Sequence, residues 1–435
     1  MADTKAYVVH GQMTADTSTF DLTTGAETSR SPTGAIVFTS FATALDTDAP
    51  DAEISVGMTD FTTTYCYSTS AEDGVDPSDT SRRQGASGNI LEIHAPGNQA
   101  SLSRSATVAA ITGGIRITPV QSGTQFRVVA WLFFGTAAKC AMAGDATSAN
   151  SSYNIAHGFT NAPKLGICAS AHTDSTAAQH EIAMGFFTYI SSTIKQRAFS
   201  QCSQSSLTDT RPGTREVYTN RALYCMIDAF DGTEDHSLEV TAVGTTNVTV
   251  TARTGTVRAN TLWLILELDD VDCFLDTVTS PSTAASDWSY TGAPFQPQFV
   301  GGLLTMSDSE AAGGSSDGWD NAIGGAWGAV AFDAEGTIVT VSHHDEVDAG
   351  STGSGSSLTN TDSRVSQALR LTNDVNSTQF DMDNPSFTAS GFTFASADIT
   401  TAASARLWPM IFIAAAASGG AAPIVQHRNQ LRFNS

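Results

Sequence analysis

The side chains best suited to chemistry form four short groups of acidic residues and histidines. The densest is residues 343–346, which read His-His-Asp-Glu. In a strand, adjacent histidines face opposite sides of the sheet, so only His343 or His344 can join a given metal site. The sequence therefore favours an exposed strand end over a metal centre here.

Two acidic groups carry the same two interpretations. Residues 269–272 (Asp-Asp-Val-Asp) directly follow an apolar run and could bind calcium through carboxylate oxygens. A solvated turn explains them without an ion, and the same holds for residues 381–383 (Asp-Met-Asp). His157 and His172 flank a predicted strand but have no Cys or Asp partner at metal-ligand spacing. We therefore predict no metal site and no cofactor.

Motifs for zinc-dependent hydrolysis and phosphate binding are absent from the sequence. It contains no HExxH, GxxxxGKS/T or CxxC pattern. Hydrolysis needs a nucleophile or an activated water held beside a base. We predict that the protein is not an enzyme and has no catalytic residues, and a hydrolase that uses acidic pairs is the weakest alternative.

Three tryptophans recur in similar surroundings. Each sits in a short, almost wholly apolar run that follows an arginine: Arg127 with Trp131, Arg258 with Trp263, and Arg406 with Trp408. This setting predicts core anchors, with arginines that cover the Trp faces or pair with a neighbouring carboxylate. Trp319 instead lies in a polar segment between Gly318 and Asp320, so it is the candidate for stacking on a glycan.

The spacing of these tryptophan runs is about the length of a small domain, which predicts a tandem repeat. Short apolar and β-branched runs between turn residues predict strands throughout, and no helical periodicity is found. The predicted fold is all-β, with three tandem antiparallel β-sandwich domains related by internal repeat and with jelly-roll or immunoglobulin-like wiring left open. The predicted boundaries are residues 1–138, 153–275 and 290–417 for the domains, 139–152 and 276–289 for linkers, and 418–435 for a basic C-terminal arm.

Each predicted domain has a middle strand with an internal glycine, in residues 53–61, 181–187 and 325–332. A glycine at that position predicts a bulge or a close backbone approach. The continuous apolar runs beside the tryptophans predict strands covered on both faces. The cover would be the opposing sheet together with a neighbouring loop or another subunit.

The chain of 435 residues is acidic, with 44 Asp and Glu, 21 Lys and Arg and a formal charge of -23. This argues against nucleic acid or an anionic membrane surface as partner, because both need clusters of basic residues. No apolar run approaches the roughly 20 residues that span a bilayer. The start of the chain does not read as a secretory signal, so the six cysteines are predicted to be reduced thiols.

The last residues reverse this charge balance. Residues 424–435 contain no acid and carry two arginines, which predicts an arm that docks on an acidic partner surface. The predicted partner-binding residues are Arg428, Leu431, Arg432 and Phe433. A frayed terminus is the alternative.

Tandem sandwiches of small residues, punctuated by tryptophan and opened by phrases such as residues 295–300 (Phe-Gln-Pro-Gln-Phe-Val), resemble structural proteins of tailed-phage virions. The resemblance implies a non-enzymatic capsid- or tail-associated component of decoration, spike or fibre type. It would be made in the host cytoplasm and located in the virion, with itself as partner, in a multimer such as a trimer, and with other virion proteins. The alternative is a carbohydrate- or host-receptor-binding module that uses Trp319.

Overall fold

The computed structural model is all-β, with strands β1 to β32, and this confirms the predicted fold class. No helix that is long and apolar enough to cross a membrane occurs among the described residues. The structure describes residues 4–40, 47–50, 52–71, 80–95, 98–143, 150–170, 176–177, 179–204, 213–217, 220–228, 233–254, 260–279, 287–305, 325–347, 357–364, 367–372, 378–399 and 407–414.

The first third of the chain forms a larger and a smaller antiparallel sheet, which together we call the first unit. Its strands are β1 (Lys5–Met13), β2 (Phe20–Thr23), β3 (Gly34–Ser40), β4 (Thr47–Pro50), β5 (Ala52–Thr59), β6 (Thr64–Ala71), β7 (Thr80–Gln84), β8 (Leu91–Ala95), β9 (Asn98–Ile111), β10 (Gly114–Pro119) and β11 (Phe126–Phe134). The larger sheet has the order β1-β11-β3-β5-β6-β7, and the smaller sheet has the order β2-β10-β9-β8. The first strand therefore pairs with the last.

The second unit repeats this arrangement. Its strands are β12 (Ala138–Ala143), β13 (Ser152–Ala156), β14 (Leu165–Ser170), β15 (Thr176–Ala177), β16 (Gln179–Ile190), β17 (Thr193–Gln204), β18 (Gly213–Val217), β19 (Leu223–Asp228), β20 (Thr233–Val243), β21 (Asn247–Thr254) and β22 (Thr261–Leu266). The larger sheet runs β12-β22-β14-β16-β17-β18 and the smaller sheet runs β13-β21-β20-β19.

The third unit has the same topology again. Its strands are β23 (Cys273–Thr279), β24 (Trp288–Tyr290), β25 (Pro297–Thr305), β26 (Gly325–Asp333), β27 (Ile338–Val347), β28 (Ser357–Arg364), β29 (Gln367–Thr372), β30 (Thr378–Thr388), β31 (Gly391–Ile399) and β32 (Leu407–Ala414). The sheets run β23-β32-β25-β26-β27-β28 and β24-β31-β30-β29. In every unit the ends of the chain segment are wound together, as in a jelly roll, and the middle strands form meanders.

Each unit has a core between its two sheets, because alternate residues of a strand face opposite sides. In the first unit, for example, Val37 and Leu132 of the larger sheet pack with Ile93 and Ile115 of the smaller one. The second and third units have equivalent cores. Each unit is therefore a β-sandwich of the kind predicted.

A further apolar core, the axial core, lies where the three larger sheets meet. It is built from the opposite faces of these sheets and includes Phe38 and Trp131 of the first unit, Phe186 of the second, and Phe299 and Ile411 of the third. All five side chains are fully buried. The three sandwiches therefore surround one common core and are not separate modules along a string.

The axial core explains the continuous apolar strands. All nine residues of β11 and all six of β22 are buried, as predicted for strands covered on both faces. One cover is the smaller sheet of the same unit. The second covering surface is formed by the neighbouring units of the same chain, where the sequence had led us to expect a loop or a second subunit.

Two short strands leave their own unit and extend a neighbouring sheet. β4 of the first unit pairs antiparallel with β28 of the third, with Asp48 opposite Asp362. β15 of the second unit pairs antiparallel with β7 of the first, with Thr176 opposite Arg83. We call these two strands the arms.

The predicted linkers are in part strands, and this corrects the sequence assignment. Residues 139–152 include most of β12, which pairs with β22 along its whole length. Residues 276–289 include most of β23 and the start of β24, and β23 pairs with β32. The small residues of β12 hid it, because it is only half-buried and lacks a strong apolar alternation.

The internal glycines have the role predicted for them. A Cβ atom on Gly57 would lie 1.7 Å from the carbonyl oxygen of Ile90, and one on Gly185 would lie 2.0 Å from the carbonyl oxygen of Ala222. In both units the backbone of the middle strand therefore lies against the residue just before a strand of the smaller sheet, β8 in the first unit and β19 in the second. The glycines of residues 325–332 lie on β26, and their surroundings are outside the described side chains.

Candidate functional site: the seams between the units

The three units are joined at seams where the β-hairpin of one unit meets the first strand of the next. At the seam between the third and first units, Asp333 ends β26. Its Oδ2 accepts a hydrogen bond from the backbone amide of Val8 at 2.9 Å. Its Oδ1 accepts from the amides of Glu335 and Thr337, both at 3.1 Å. One carboxylate thus accepts hydrogen bonds both from its own turn and from the first strand of the next unit.

The seam between the first and second units uses the same device. Oδ2 of Asp60, in the turn after β5, accepts from the backbone amide of Cys140 at 3.0 Å, and Oδ1 accepts from Thr62 and Thr63 at 2.9 and 2.6 Å. The ammonium of Lys139 lies 4.0 Å from the Asp60 carboxylate. A turn aspartate with its two oxygens divided in this way recurs at equivalent positions of the fold.

The third seam replaces the carboxylate with cations. Arg197 of β17 donates from Nε to the hydroxyl of Thr277 at 2.8 Å. Nζ of Lys195 lies 4.5 Å from the ring centroid of Phe274, which is cation–π range. Hairpins therefore contact first strands in one rotational sense, from first to second, second to third, and third to first, and the ring is closed.

Burial makes the Asp333 seam sensitive to protonation. The side chain is 4% exposed, and burial raises the pKa of this carboxyl to about 6, although the three backbone amides oppose the shift. Desolvation penalises the charged form more than these hydrogen bonds favour it. Near neutral pH the group is close to its titration range.

A cavity of about 430 Å³ lies at the seam between the second and third units, and we call it the seam pocket. Its lining combines the rings of Phe274 and Phe295 with the ammonium of Lys195, the carboxylate of Asp272 and the hydroxyl of Thr193. Aromatic faces beside hydrogen-bonding and charged groups suit a small, neutral or amphipathic, polyhydroxylated ligand.

A second cavity, of about 400 Å³, lies at the corresponding place between the third and first units. It is formed by Val8 and His10 of β1, Thr24 and its neighbours, and Glu335 and Thr337 of the third unit. Its lining contains no phenylalanine, tyrosine or tryptophan, and its polar side chains are threonines, His10 and Glu335. The two cavities follow from the repeated seam geometry, and their linings differ.

A buried histidine network inside the first sandwich was missed by sequence reasoning. Nδ1 of His94 lies 3.0 Å from the hydroxyl of Ser68, and Nε2 lies 3.0 Å from Ser70 and 2.8 Å from Ser81. None of the four residues is more than 1% exposed. Burial, helped by the charge of Arg83, lowers the pKa of His94 to about 4, so the ring is neutral at pH 7.

Serine beside histidine is the geometry of a nucleophile with its base. Here both partners are enclosed between the sheets, so the network serves to satisfy buried polar groups. A signal was present in the sequence, since Ser68 and Ser70 alternate along one strand and must share a face. Nothing in the sequence joined that face to His94.

Of the predicted tryptophan anchors, Trp131 and Trp263 are described, and both are buried but not equivalent. Trp131 faces the axial core, with its ring centroid 5.2 Å from Phe38 and 5.8 Å from Phe299 of the third unit. Trp263 faces the core of its own sandwich, 6.3 Å from Phe187. Trp408 lies on β32, and its side chain is outside the described residues. The two described tryptophans thus occupy opposite faces of their sheets.

Of the three arginines that precede the tryptophans, only Arg127 is described, because Arg258 and Arg406 lie outside the described residues. Arg127 is 4% exposed, and its Nη2 donates to Nδ1 of His10 at 3.2 Å on the paired strand. This is a contact within one sheet.

The acidic turn at residues 269–272 is a hydrogen-bonded junction. Asp270 accepts from the amide of Thr4 at 2.8 Å and from its hydroxyl, and Asp269 accepts from Nδ2 of Asn161 at 2.6 Å. Lys164 donates to the carbonyl oxygen of Val271 at 2.8 Å. The turn therefore ties the start of the chain to the second unit, as a structured alternative to the solvated turn expected.

The remaining candidates are placed as follows. Nε2 of His157 lies 3.2 Å from the carbonyl oxygen of Gly244, and its ring is 4.5 Å from Phe159, so the histidine has structural partners. No group of three or more His, Cys, Asp or Glu side chains suited to a metal occurs in the described part of the chain. The backbone places residues 343–346 on β27 and 381–383 on β30, with side chains outside the described set. His172, Trp319, Arg428, Leu431, Arg432 and Phe433 also lie outside the described residues.

The described cysteine side chains lie within the sandwiches or the axial core. They are Cys66, Cys140, Cys168, Cys225 and Cys273, and all five are buried. Burial raises the pKa of the Cys66 and Cys168 thiols well above the ordinary range, which keeps them protonated.

Comparison of the chain with protein-family models, with curated proteins and with solved structures finds no match.

Proposed function

We propose that the chain is a non-enzymatic structural component of a tailed-phage virion, attached to the capsid or tail as a decoration, spike or fibre-like protein. The observation that carries the proposal is the closed ring of three sandwiches of one topology around a shared apolar core. Such a body resists deformation, because its seams, arms and axial core must open together. Mechanical resistance is what a particle component needs.

The threefold arrangement also bears on the partner. A ring with approximate threefold symmetry presents three similar outer sheets, so it matches a threefold position on a particle or a second ring stacked on the same axis. The trimeric geometry expected of an assembly is here built within one chain. Self-association of the ring into a larger multimer stays a prediction.

Attachment is testable on virions of the phage that encodes the sequence. The protein should be present in purified particles as a stoichiometric component by quantitative mass spectrometry. Replacing Arg428 and Arg432 together by glutamine should reduce the bound copies at least several-fold, because the arm would lose its charge complementarity to an acidic surface. Arg116→Gln is the matched control, since Arg116 is an exposed arginine of the body that pairs with Asp21 at 2.7 Å.

The two parts of this proposal fail separately. A protein that is absent from purified particles contradicts the virion role. A protein that is present, and attaches equally well as the double glutamine variant, contradicts only the role of the arm. Sedimentation of the free protein at several concentrations measures self-association independently of both.

The seam pocket favours a second candidate, a carbohydrate- or host-receptor-binding module. Its two phenylalanine rings, lysine, carboxylate and hydroxyls form a lining that a saccharide unit could use. Lys195→Met should weaken glycan binding, whereas Lys139→Met at the first seam should not. Trp319→Ala distinguishes the pocket from the polar segment that carries Trp319. Wild-type protein that binds no glycan on an array, and no host cells, would exclude this candidate.

A further inference from the structure

The hairpins that reach the seams have an equivalent position near the end of their first strand. In the third unit this position is Asp333, which lies in a row of paired residues that crosses the sheet to Cys273, the first residue of β23. In the second unit Thr188 lies in the row that ends at Ala138, the first residue of β12. Thr188 therefore stands where the third unit has its seam aspartate.

A lysine lies beside this position at two of the seams. At the first seam the ammonium of Lys139 lies 4.0 Å from the carboxylate of Asp60. In the second unit Lys195 of β17 is the strand partner of Thr188, so the two side chains lie on the same face of the sheet. The ammonium of Lys195 lies 4.5 Å from the ring centroid of Phe274. The seam between the second and third units thus has a lysine, with a hydroxyl in place of the carboxylate.

The seam pocket reaches this position. Thr188 is only 2% exposed, yet it lines the cavity together with the half-buried rings of Phe274 and Phe295. Lys195 and Asp272 also line the cavity and are exposed, so the cavity opens to solvent on their side. A ligand carboxylate that enters the seam pocket can therefore take the place that an aspartate side chain occupies at the other two seams.

The rest of the lining decides what must accompany that carboxylate. Phe274 and Phe295 offer aromatic faces, on which the CH groups of a sugar ring can pack. The carboxylate of Asp272 accepts hydrogen bonds from hydroxyls but repels an anion that carries none. The acidity of the chain as a whole matters less here, because at physiological salt charges beyond about 8 Å are largely screened. The lining therefore favours a ring that carries both hydroxyls and one carboxylate.

We propose that the seam pocket binds an acidic sugar, such as a hexuronic acid unit of a glycan, with its carboxylate beside Lys195 and Thr188. This rests on the carbohydrate-binding function proposed for the pocket, and it names the class of saccharide. The sugar ring packs on the two phenylalanines, and its hydroxyls donate to Asp272. The ligand bridges the second and third units, and its carboxylate supplies the anion that aspartates supply at the other two seams.

A titration of the full-length protein with glucuronic acid, glucuronamide and glucose, followed by saturation-transfer NMR, tests the charge. The three compounds share a pyranose ring, and the amide differs from the acid in one group. At pH 7 the acid should bind at least about tenfold more tightly than either neutral compound, because it alone can form a charge-assisted hydrogen bond with Lys195. Lys195→Met should remove this preference. Lys139→Met, at the first seam, should keep it.

Thr188→Asp gives a second measure, because it restores an aspartate at the seam position. Its carboxylate would occupy the place of the ligand carboxylate, so binding of glucuronic acid should fall at least about tenfold. Thr188→Val is the matched control, since it removes only the hydroxyl at nearly the same volume. It should weaken binding much less than Thr188→Asp does. Thermal melting of both variants checks that the fold is kept.

The outcomes separate this proposal from the function on which it rests. Wild-type protein that binds glucose or glucuronamide as tightly as glucuronic acid would overturn the acidic ligand and leave a carbohydrate-binding pocket. A glycan array that reports only neutral glycans would do the same. Binding to none of the three sugars and to no glycan on the array would overturn both. A folded Thr188→Asp protein that binds glucuronic acid as the wild type does would place the ligand outside the seam pocket and overturn the proposal.

Discussion

The carboxylate of Asp333 accepts a hydrogen bond from the backbone amide of Val8 at 2.9 Å and so joins the third unit to the first across a sequence separation of 325 residues. Asp60 receives the amide of Cys140 in the same way at 3.0 Å. A hydrogen bond from a backbone amide to a buried carboxylate is stronger than one between neutral groups. At two of its seams the ring therefore includes a hydrogen bond from a backbone amide to a carboxylate oxygen.

Asp333 should make stability depend on pH. Its pKa is about 6 in the folded chain, against 3.8 ordinarily, so the folded state holds the proton more tightly. The stability that this adds is fully present below pH 3.8 and is lost as the pH rises through 6. The full span corresponds to about 3 kcal/mol. Asp333→Asn should remove this part of the pH dependence in urea unfolding between pH 4 and 8.

Asp60→Asn is the comparison for that experiment, because it alters the same hydrogen bond at the equivalent seam. The quantity to compare is the slope of the unfolding free energy against pH in wild type and in Asp333→Asn. Its absolute value is less informative, because both variants also change hydrogen bonding. An Asp333→Asn protein whose unfolding free energy follows the wild-type pH profile would contradict a raised pKa at this carboxyl.

His94 should contribute in the opposite direction. Its pKa of about 4 in the folded chain, against 6.5 ordinarily, means that the neutral ring stabilises the fold above pH 6.5. That stability is lost as the pH falls through 4, with a full span of about 3 kcal/mol. His94→Gln cannot titrate, so its stability relative to wild type should improve as the pH falls from 7 to 4.5. Equal profiles would show that the ring is not held neutral.

The two middle-strand glycines should not tolerate a side chain. A methyl group at Gly57 or Gly185 would overlap a backbone carbonyl oxygen, which cannot move without shifting a strand. We expect Gly57→Ala and Gly185→Ala to lose about 3 kcal/mol or more, or to fail to fold. Gly25→Ala is the control, because no atom lies within 4 Å of its Cβ position. Thermal melting of all three variants distinguishes the cases, and a stable Gly57→Ala protein would refute the close approach.

The first unit should not be soluble as a monomer by itself. In the ring its larger sheet turns Phe38, Trp131 and Phe133 into the axial core, and a fragment of residues 1–136 would expose this face to water. We expect the fragment to associate or aggregate in analytical ultracentrifugation. A monomeric fragment with cooperative unfolding would mean that the axial core adds little. In the full chain, Trp131→Ala should cost about 3 to 5 kcal/mol.

The strands and their threefold recurrence were accessible from sequence because they depend on local patterns. The tryptophan runs, the internal glycines and the alternating segments each reflect a strand that is covered on one or both faces. The apolar residues on both faces of β11 even required a second covering surface. The sequence could not identify that surface, because the same apolar residues are expected whether another unit of the chain or a second subunit covers the strand.

The seams were beyond sequence reasoning for a different reason. Asp60 and Asp333 each follow a strand and precede a turn, which is where solvated aspartates are common. Cys140 and Val8 meet these carboxylates through their backbone amides, so no residue type marks the contacts. The seam pocket has the same origin, since Lys195 and Phe274 meet only when the ring closes. Local pattern reveals elements, whereas contacts between distant backbones leave no local pattern.

The route of the first arm has a consequence for how the protein is made. β4 emerges from the ribosome early, yet its partner β28 is synthesised about 300 residues later. In the same way, Val8 can form its hydrogen bond only after Asp333 has been synthesised. The first sandwich must therefore remain with an uncovered apolar face and unpaired edges until the last is synthesised. Folding of the first sandwich is therefore completed only after the third has been synthesised. A product truncated before that point keeps an exposed apolar face and unpaired strand edges, which chaperones and proteases can bind.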